Sequence, residues 1–139
     1  MSDGQVVIAI DAMGGENSPY KVLKGVEIFQ QNEKNTKIIF FGDELVINQN
    51  ISKYNLSIFN FEVVNTKEII FDDDSVNTIL RSKKNSSIYR GLEFAKNNEN
   101  SGFVSSGSTA AIMVLSRLHM GMIKGCLLYT SDAADDMAS

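Results

Sequence analysis

The chain has 139 residues, 43% of them hydrophobic and 22% charged, enough for one domain with a real core. No run of about 18 apolar residues occurs, which excludes a membrane-spanning helix, and the start MSDGQVVIAID lacks the basic and long apolar regions of a secretion signal, so a cytoplasmic location is expected. The formal charge of −4 falls to −1, 13 basic against 14 acidic residues, once Asp132, Asp135 and Asp136 near the end are set aside, which leaves no global field for nucleic acid or an anionic membrane surface.

Gln5 to Ile10, QVVIAI, is a short β-branched run bounded by glycine and acid, and reads as a buried strand. Ser18 then stands as an N-cap with Pro19 at the first helical position. Val22, Leu23, Val26 and Phe29, with Ile28 flanking, give a helical stripe to about Gln31. Lys37 to Gly42, KIIFFG, is a second strand, and Asp43 caps a short helix over Glu44 to Asn48. Ile58 to Asn65, IFNFEVVN, is a third strand. KEIIF, Lys67 to Phe71, reads as a strand or a loop.

Asp72 to Ile88 carries a short helical piece from Val76 to Arg81, a basic cluster, and a new cap at Ser86 or Ser87. A helix follows from Ile88 to about Asn97, burying Ile88, Leu92 and Ala95. Gly102 to Ala111, GFVSSGSTAA, is strand, glycine turn and helix; that last helix buries Ala111, Leu115, Leu118 and Met122. Strands alternating with helices argue for an α/β fold with a largely parallel sheet and right-handed crossovers.

From Cys126 the composition shifts abruptly from Asn/Lys/Ile-rich to Ala/Asp-rich. CLLYTS is what TGTCTCTTATACACATCT encodes, the end of a transposon adaptor used in sequencing libraries. Residues 126–139 are therefore read as an adaptor-derived tail, and 1–125 as the amino-terminal part of an α/β domain. The chain's single cysteine goes with that tail, which removes disulfides, thiolate catalysis and zinc-finger spacing.

In open α/β sheets, ligands bind outside the carboxyl ends of the strands. Three polar corners fall at such ends. In DAMGGENSP, Asp11 ends a strand, Gly14 and Gly15 permit close backbone approach, and Asn17 and Ser18 precede a helix start with free N–H groups. It is an anion cradle or a plain βα turn, and it matches neither G-x-G-x-x-G nor a P-loop. In RSKKNSS, Arg81, Lys83 and Lys84 precede Ser86 and Ser87, which suits phosphate or a solvated basic turn. In VSSGSTAA, Ser105, Ser106, Gly107, Ser108 and Thr109 gather hydroxyls at a helix start, as an oxyanion cradle or as ordinary caps. A serine-nucleophile triad is disfavoured. The only histidine, His119, lies roughly 15 Å down the helix from Ser108 and reads as a surface or partly packed side chain. The run Asp72 to Asp74 reads as a solvated loop, with no metal expected.

In their order and spacing, IAIDAMGGENSP, FGDE, LRSKKNSSI and GFVSSGSTAAIM resemble the amino-terminal part of the bacterial acyl-acyl-carrier-protein:phosphate acyltransferases, over about Val6 to Gly125. DAMGG and the Arg-x-Lys-Lys-x-Ser-Ser string are the most specific parts. Glu16, Ser106, Ser108 and Ala110 depart from the Asp, Ala, Asn and Gly usual in that family. The resemblance implies a Rossmann-like three-layer α/β/α sandwich, incomplete here because such proteins are much longer. It implies a soluble, usually dimeric enzyme working at the membrane surface, with no cofactor. Orthophosphate would attack the thioester of a long-chain acyl group on acyl carrier protein, giving acyl phosphate for phospholipid synthesis. Lys84, Ser108 and Thr109 are then the expected catalytic residues. Arg81 and Lys83 would add charge for phosphate or the carrier's phosphopantetheine arm. Ser105 and Gly107 would complete the cradle, Ser86 and Ser87 would bind substrate, and Asp11, Asn17, Gly14 and Gly15 would shape the first loop. The alternatives are a non-catalytic module binding a phosphorylated metabolite and a phosphate acetyltransferase-like enzyme using coenzyme A thioesters.

Overall fold

A computed structural model describes residues 4–121; the expectations for Met122 and for 126–139 lie outside the described residues. The elements run β1 (Val7–Asp11), α1 (Tyr20–Gln30), β2 (Lys37–Gly42), α2 (Glu44–Lys53), β3 (Phe61–Asn65), α3 (Val76–Ser82), α4 (Ser87–Asn97), β4 (Ser101–Val104) and α5 (Thr109–Met120). All four strands are parallel, in the order β3-β2-β1-β4. Successive side chains on a strand point to opposite faces, so a strand covered on both sides must be apolar throughout. KIIFFG meets that demand. Ile38 and Phe40 join Ile10 under Leu23 and Val26 of α1 and Ile47 of α2. Ile39 and Phe41 join Val7 and Ala9 on the other face, with Phe94 of α4 packed against them. The result is three layers, α/β/α. A separate cluster of Ile79, Ile88, Leu92, Ala111 and Leu115 binds α3, α4 and α5 together.

Several local expectations change. Ser18 does not cap α1: its hydroxyl donates to the Gly14 carbonyl, and Pro19 occupies the cap position with no side-chain hydrogen bond. Asn17, at φ 60°, turns the chain there. The buried stripe of α1 ends on Gln30, 1% exposed, rather than on Phe29, which is 37% exposed. The Gln30 amide donates to the Phe59 carbonyl at 2.6 Å and accepts from the Phe59 N–H at 3.1 Å. Glu27 adds a second tie between α1 and this loop, accepting from the Ser57 N–H as well as from Lys24. The Lys24 hydrogen bond, then the Ser57 N–H, hold the Glu27 carboxyl below the usual carboxylate range. β3 begins only at Phe61 because Phe59 is occupied by Gln30 and Asn60 sits at φ 50°. Asp43 caps α2 as expected, its carboxylate accepting from Val46, but the helix continues to Lys53 because Ile51 packs on the α1 cluster. At α5, Ala111 and Leu115 are buried whereas Leu118 is 60% exposed, because in the last turn it is His119 that faces α4, against Tyr89.

Gln30 yields a direct test. Gln30→Leu keeps the side chain's bulk but strands the Phe59 N–H and carbonyl, so denaturant titration should show a loss of about 2 kcal/mol. A loss within experimental error of zero would mean that this pairing contributes nothing.

Candidate functional site

The chain lays down β1, β2 and β3 outward, then returns to place β4 on the other flank of β1. That reversal creates a topological switch point between β1 and β4, where the following loops diverge and leave a crevice. A hollow of about 400 Å³ lies there. Its floor holds Asp11, Gly14, Ser87, Gly107 and Ser108, and one wall holds Ile69, Ile70, Phe71 and Asp72.

Asp11 organises the floor. It is the last residue of β1 and is 1% exposed. Its Oδ1 accepts from the Met13 N–H at 3.0 Å, the Gly14 N–H at 3.1 Å and the Ser87 hydroxyl at 2.6 Å. Its Oδ2 accepts from the Ser105 hydroxyl at 2.7 Å, and the Ser105 Oγ in turn accepts from the Gly107 N–H at 2.9 Å. One carboxylate thus joins three corners that are 76 and 94 residues apart along the chain at the serine contacts. The adjacent helix starts favour a negative group, so a buried carboxylate is tolerable at this point. Gly14 lets the first loop close on the third: a Cβ there would lie 2.3 Å from Asp11 Oδ2 and 2.7 Å from the Gly107 backbone.

The other two corners are helix starts. Ser86 caps α4, its Oγ accepting from the Tyr89 N–H, and Ser108 caps α5, accepting from the Ala111 N–H. These caps leave the backbone N–H groups of the first helical residues without intrahelical partners, as at any helix start. Gly15, Glu16 and Ser106 complete the rim.

The expected residues divide. Asp11, Gly14, Gly15, Ser87, Gly107 and Ser108 line the hollow, and Ser86 and Ser105 stand directly behind it as cap and hydrogen-bond partner. Asn17 lines a different groove, between α1 and α2, and Thr109 is exposed at the first turn of α5. Arg81 and Lys84 are exposed on the α3–α4 corner. Lys83 is directed elsewhere: its Nζ donates to the Ile69 carbonyl at 2.8 Å, lies 3.6 Å from the Asp74 carboxylate and sits over the Phe71 ring. Among the described residues, the charged ones that line the hollow are Asp11, Glu16 and Asp72, all acidic.

The apolar wall was not anticipated. KEIIF forms no ladder; Glu68 makes a single bridge to Ser86, and the following residues run past the hollow. The available signal was three large apolar residues in a segment without strand alternation. Nor is Asp72–Asp74 wholly solvated: Asp74 is partly buried and accepts from the Phe71 N–H at 2.8 Å. His119 is partly packed, its Nδ1 2.8 Å from the Leu115 carbonyl and its ring edge-on to Tyr89. Among the described residues no helix is long and apolar enough to cross a membrane.

Comparison with known proteins places these corners in a family. The model of the fatty acid synthesis protein family matches residues 6–127. The phosphate acyltransferase of Caldicellulosiruptor bescii is 40% identical over 119 residues, 85% of this chain and 35% of that protein. The phosphate acyltransferase of Clostridium novyi is 36% identical over 118 residues, covering 85% and 36%. That of Pelagibacter ubique is 33% identical over 119 residues, covering 86% and 35%. The chain spans about a third of the length of these curated relatives. Because the match runs from before β1 to beyond α5 and takes in every corner that builds the hollow, the chain belongs to the fatty acid synthesis protein family.

Proposed function

We propose that this chain carries the phosphate-handling corner of an enzyme that transfers a fatty acyl group from acyl carrier protein to inorganic phosphate, giving acyl phosphate for phospholipid synthesis. The names of the relatives and the family match support phosphate acyl transfer. The observation that carries the reading is the meeting of three βα corners around one hollow at the switch point. Two of those corners are hydroxyl-capped helix starts, which favour an anion.

Phosphate itself is the nucleophile in this reading, which the printed name of the relatives, phosphate acyltransferase, supports. A phosphate oxygen bonds to the thioester carbonyl carbon. The tetrahedral oxyanion then collapses, the C–S bond breaks, and the carrier's sulfur leaves with the electron pair. Ser108 and Thr109, at the start of α5, stabilise the oxyanion or orient phosphate, with Ser105, Gly107, Ser86 and Ser87 holding the cradle. Three carboxylates on the lining oppose an incoming anion, so cations must contribute. Arg81 and Lys84, exposed on the corner that leads into Ser87, are the residues for that task. Asn17 shapes the first loop, its carbonyl accepting from Lys21. The resemblance supports the remaining parts: a cytoplasmic homodimer at full length, touching the inner face of the membrane peripherally. Residues 126–139 are read as adaptor-derived, which genomic DNA across codon 125 tests.

The decisive assay uses a full-length family protein carrying these residues. Phosphate-dependent loss of acyl-carrier-protein thioester, with acyl phosphate trapped by hydroxylamine, is expected. Binding of phosphate without turnover would indicate a binding module, and preference for acetyl-coenzyme A would indicate an acetyltransferase. In the same protein Lys84→Ala should raise the KM for phosphate about tenfold, the loss of one charge-assisted contact. An unchanged KM would remove Lys84 from phosphate binding.

A further inference from the structure

The segment between β3 and α3 walls the hollow without belonging to the sheet. It is tied to the α3–α4 corner by one backbone and one side-chain hydrogen bond, Glu68 N–H to the Asn85 carbonyl at 3.2 Å and Asn85 N–H to the Glu68 carboxylate at 3.3 Å. Beyond Glu68, Ile70 packs against the cluster of α3, α4 and α5, and Lys83 adds the polar link from that corner. The ammonium donates to the Ile69 carbonyl, faces Asp74 and lies 5.0 Å from the centre of the Phe71 ring. Asp74 closes the arrangement by exchanging hydrogen bonds with the Phe71 backbone, accepting from its N–H and donating to its carbonyl. Both members of the ion pair are largely buried, at 19% and 16% side-chain exposure, so the pair is better screened from water than a surface bridge. Ile69 and Phe71, the two residues held, nevertheless remain about half exposed beside the polar floor. An apolar surface fixed beside a hydroxyl-lined floor fits an amphipathic ligand, with its reacting polar centre on the floor and a hydrocarbon portion on the wall.

We propose that Lys83 is a positioning residue that pins the Ile69–Asp74 segment as the apolar wall against which the acyl donor's chain lies next to its thioester. The ligand part of this inference rests on the acyl-transfer reading above. It assigns Lys83 to the acyl donor and not to phosphate.

The test compares Lys83→Met, Lys83→Arg and Asp74→Asn in a full-length family protein carrying these residues. Lys83→Met should raise the KM for acyl-acyl carrier protein about tenfold while the KM for phosphate stays within about twofold, and Lys83→Arg should recover most of the loss. Amide hydrogen exchange at residues 70–74 should accelerate about tenfold or more in Lys83→Met and Asp74→Asn, with β1 and β2 unchanged. A raised phosphate KM with an unchanged donor KM would overturn the proposal, as would unaltered exchange in that segment. If the unmodified protein consumes no thioester, the acyl-transfer reading fails and takes the ligand assignment with it; hydrogen exchange then decides the pin by itself.

Discussion

Replacing Asp11 with alanine should cost about 4 kcal/mol of folding stability, the largest single effect expected in the chain, because four donors lose their acceptor at once in a buried place. Two of those donors are backbone N–H groups of Met13 and Gly14, which cannot turn to another partner without moving the loop. The others are the hydroxyls of Ser87 and Ser105. Asp11→Asn separates acceptor geometry from charge. An amide oxygen in the Oδ1 place keeps three of the contacts. The amide nitrogen then faces Ser105, whose oxygen can accept from it while still accepting from Gly107. The expected cost is about 1.5 kcal/mol, mostly the lost attraction between a carboxylate and two helix starts. Denaturant titration of the three proteins side by side is the measurement. If alanine and asparagine prove equal, the hydrogen-bond account of the floor is wrong and charge alone matters. If alanine costs under about 1 kcal/mol, Asp11 does not organise the corners.

Gly14→Ala should cost about 3 kcal/mol, for a steric reason that the neighbourhood cannot relieve. The new Cβ would overlap the Asp11 carboxylate and the Gly107 backbone together. The first can move only by giving up its hydrogen bonds, and the second belongs to the turn that starts α5. The loops must separate, so the hollow widens and any anion site on its floor weakens as well. Gly25→Ala is the matched control. Gly25 lies within α1, and a Cβ there meets nothing within 4 Å. Removing a helical glycine should then stabilise by about 1 kcal/mol. Opposite signs from the same chemical change would locate the effect in the close approach at the floor. A loss at both positions would instead point to a general intolerance of the fold.

The wall and the floor carry different physical demands, and their legibility follows from that. The floor residues sit at strand tips and helix starts, where local rules act over three or four residues. Asp11 after an apolar run, glycines at the following turn, and serines immediately before the α4 and α5 helices mark those places in one dimension. Cap identity slipped at Ser18, where two local options competed and the hydroxyl turned back to the Gly14 carbonyl instead of forward to the helix start. Gln30 was missed because polarity normally signals solvent. Here it signals a buried amide completing the backbone hydrogen bonds of Phe59, a partner 29 residues away.

Alternation of β-branched runs with capped helices, read along the chain alone, determined the α/β class, the parallel strands and the corners at which polar groups gather. Those features are set by periodicity and by the backbone needs of helix ends, both of which are local. Tertiary structure alone decided the strand order, and with it the fact that the β1 and β4 tips are neighbours sharing one carboxylate. It also decided that Lys83 turns from the polar corner to the Ile69 carbonyl and Asp74, because a long flexible side chain goes to whichever partners packing brings within its reach.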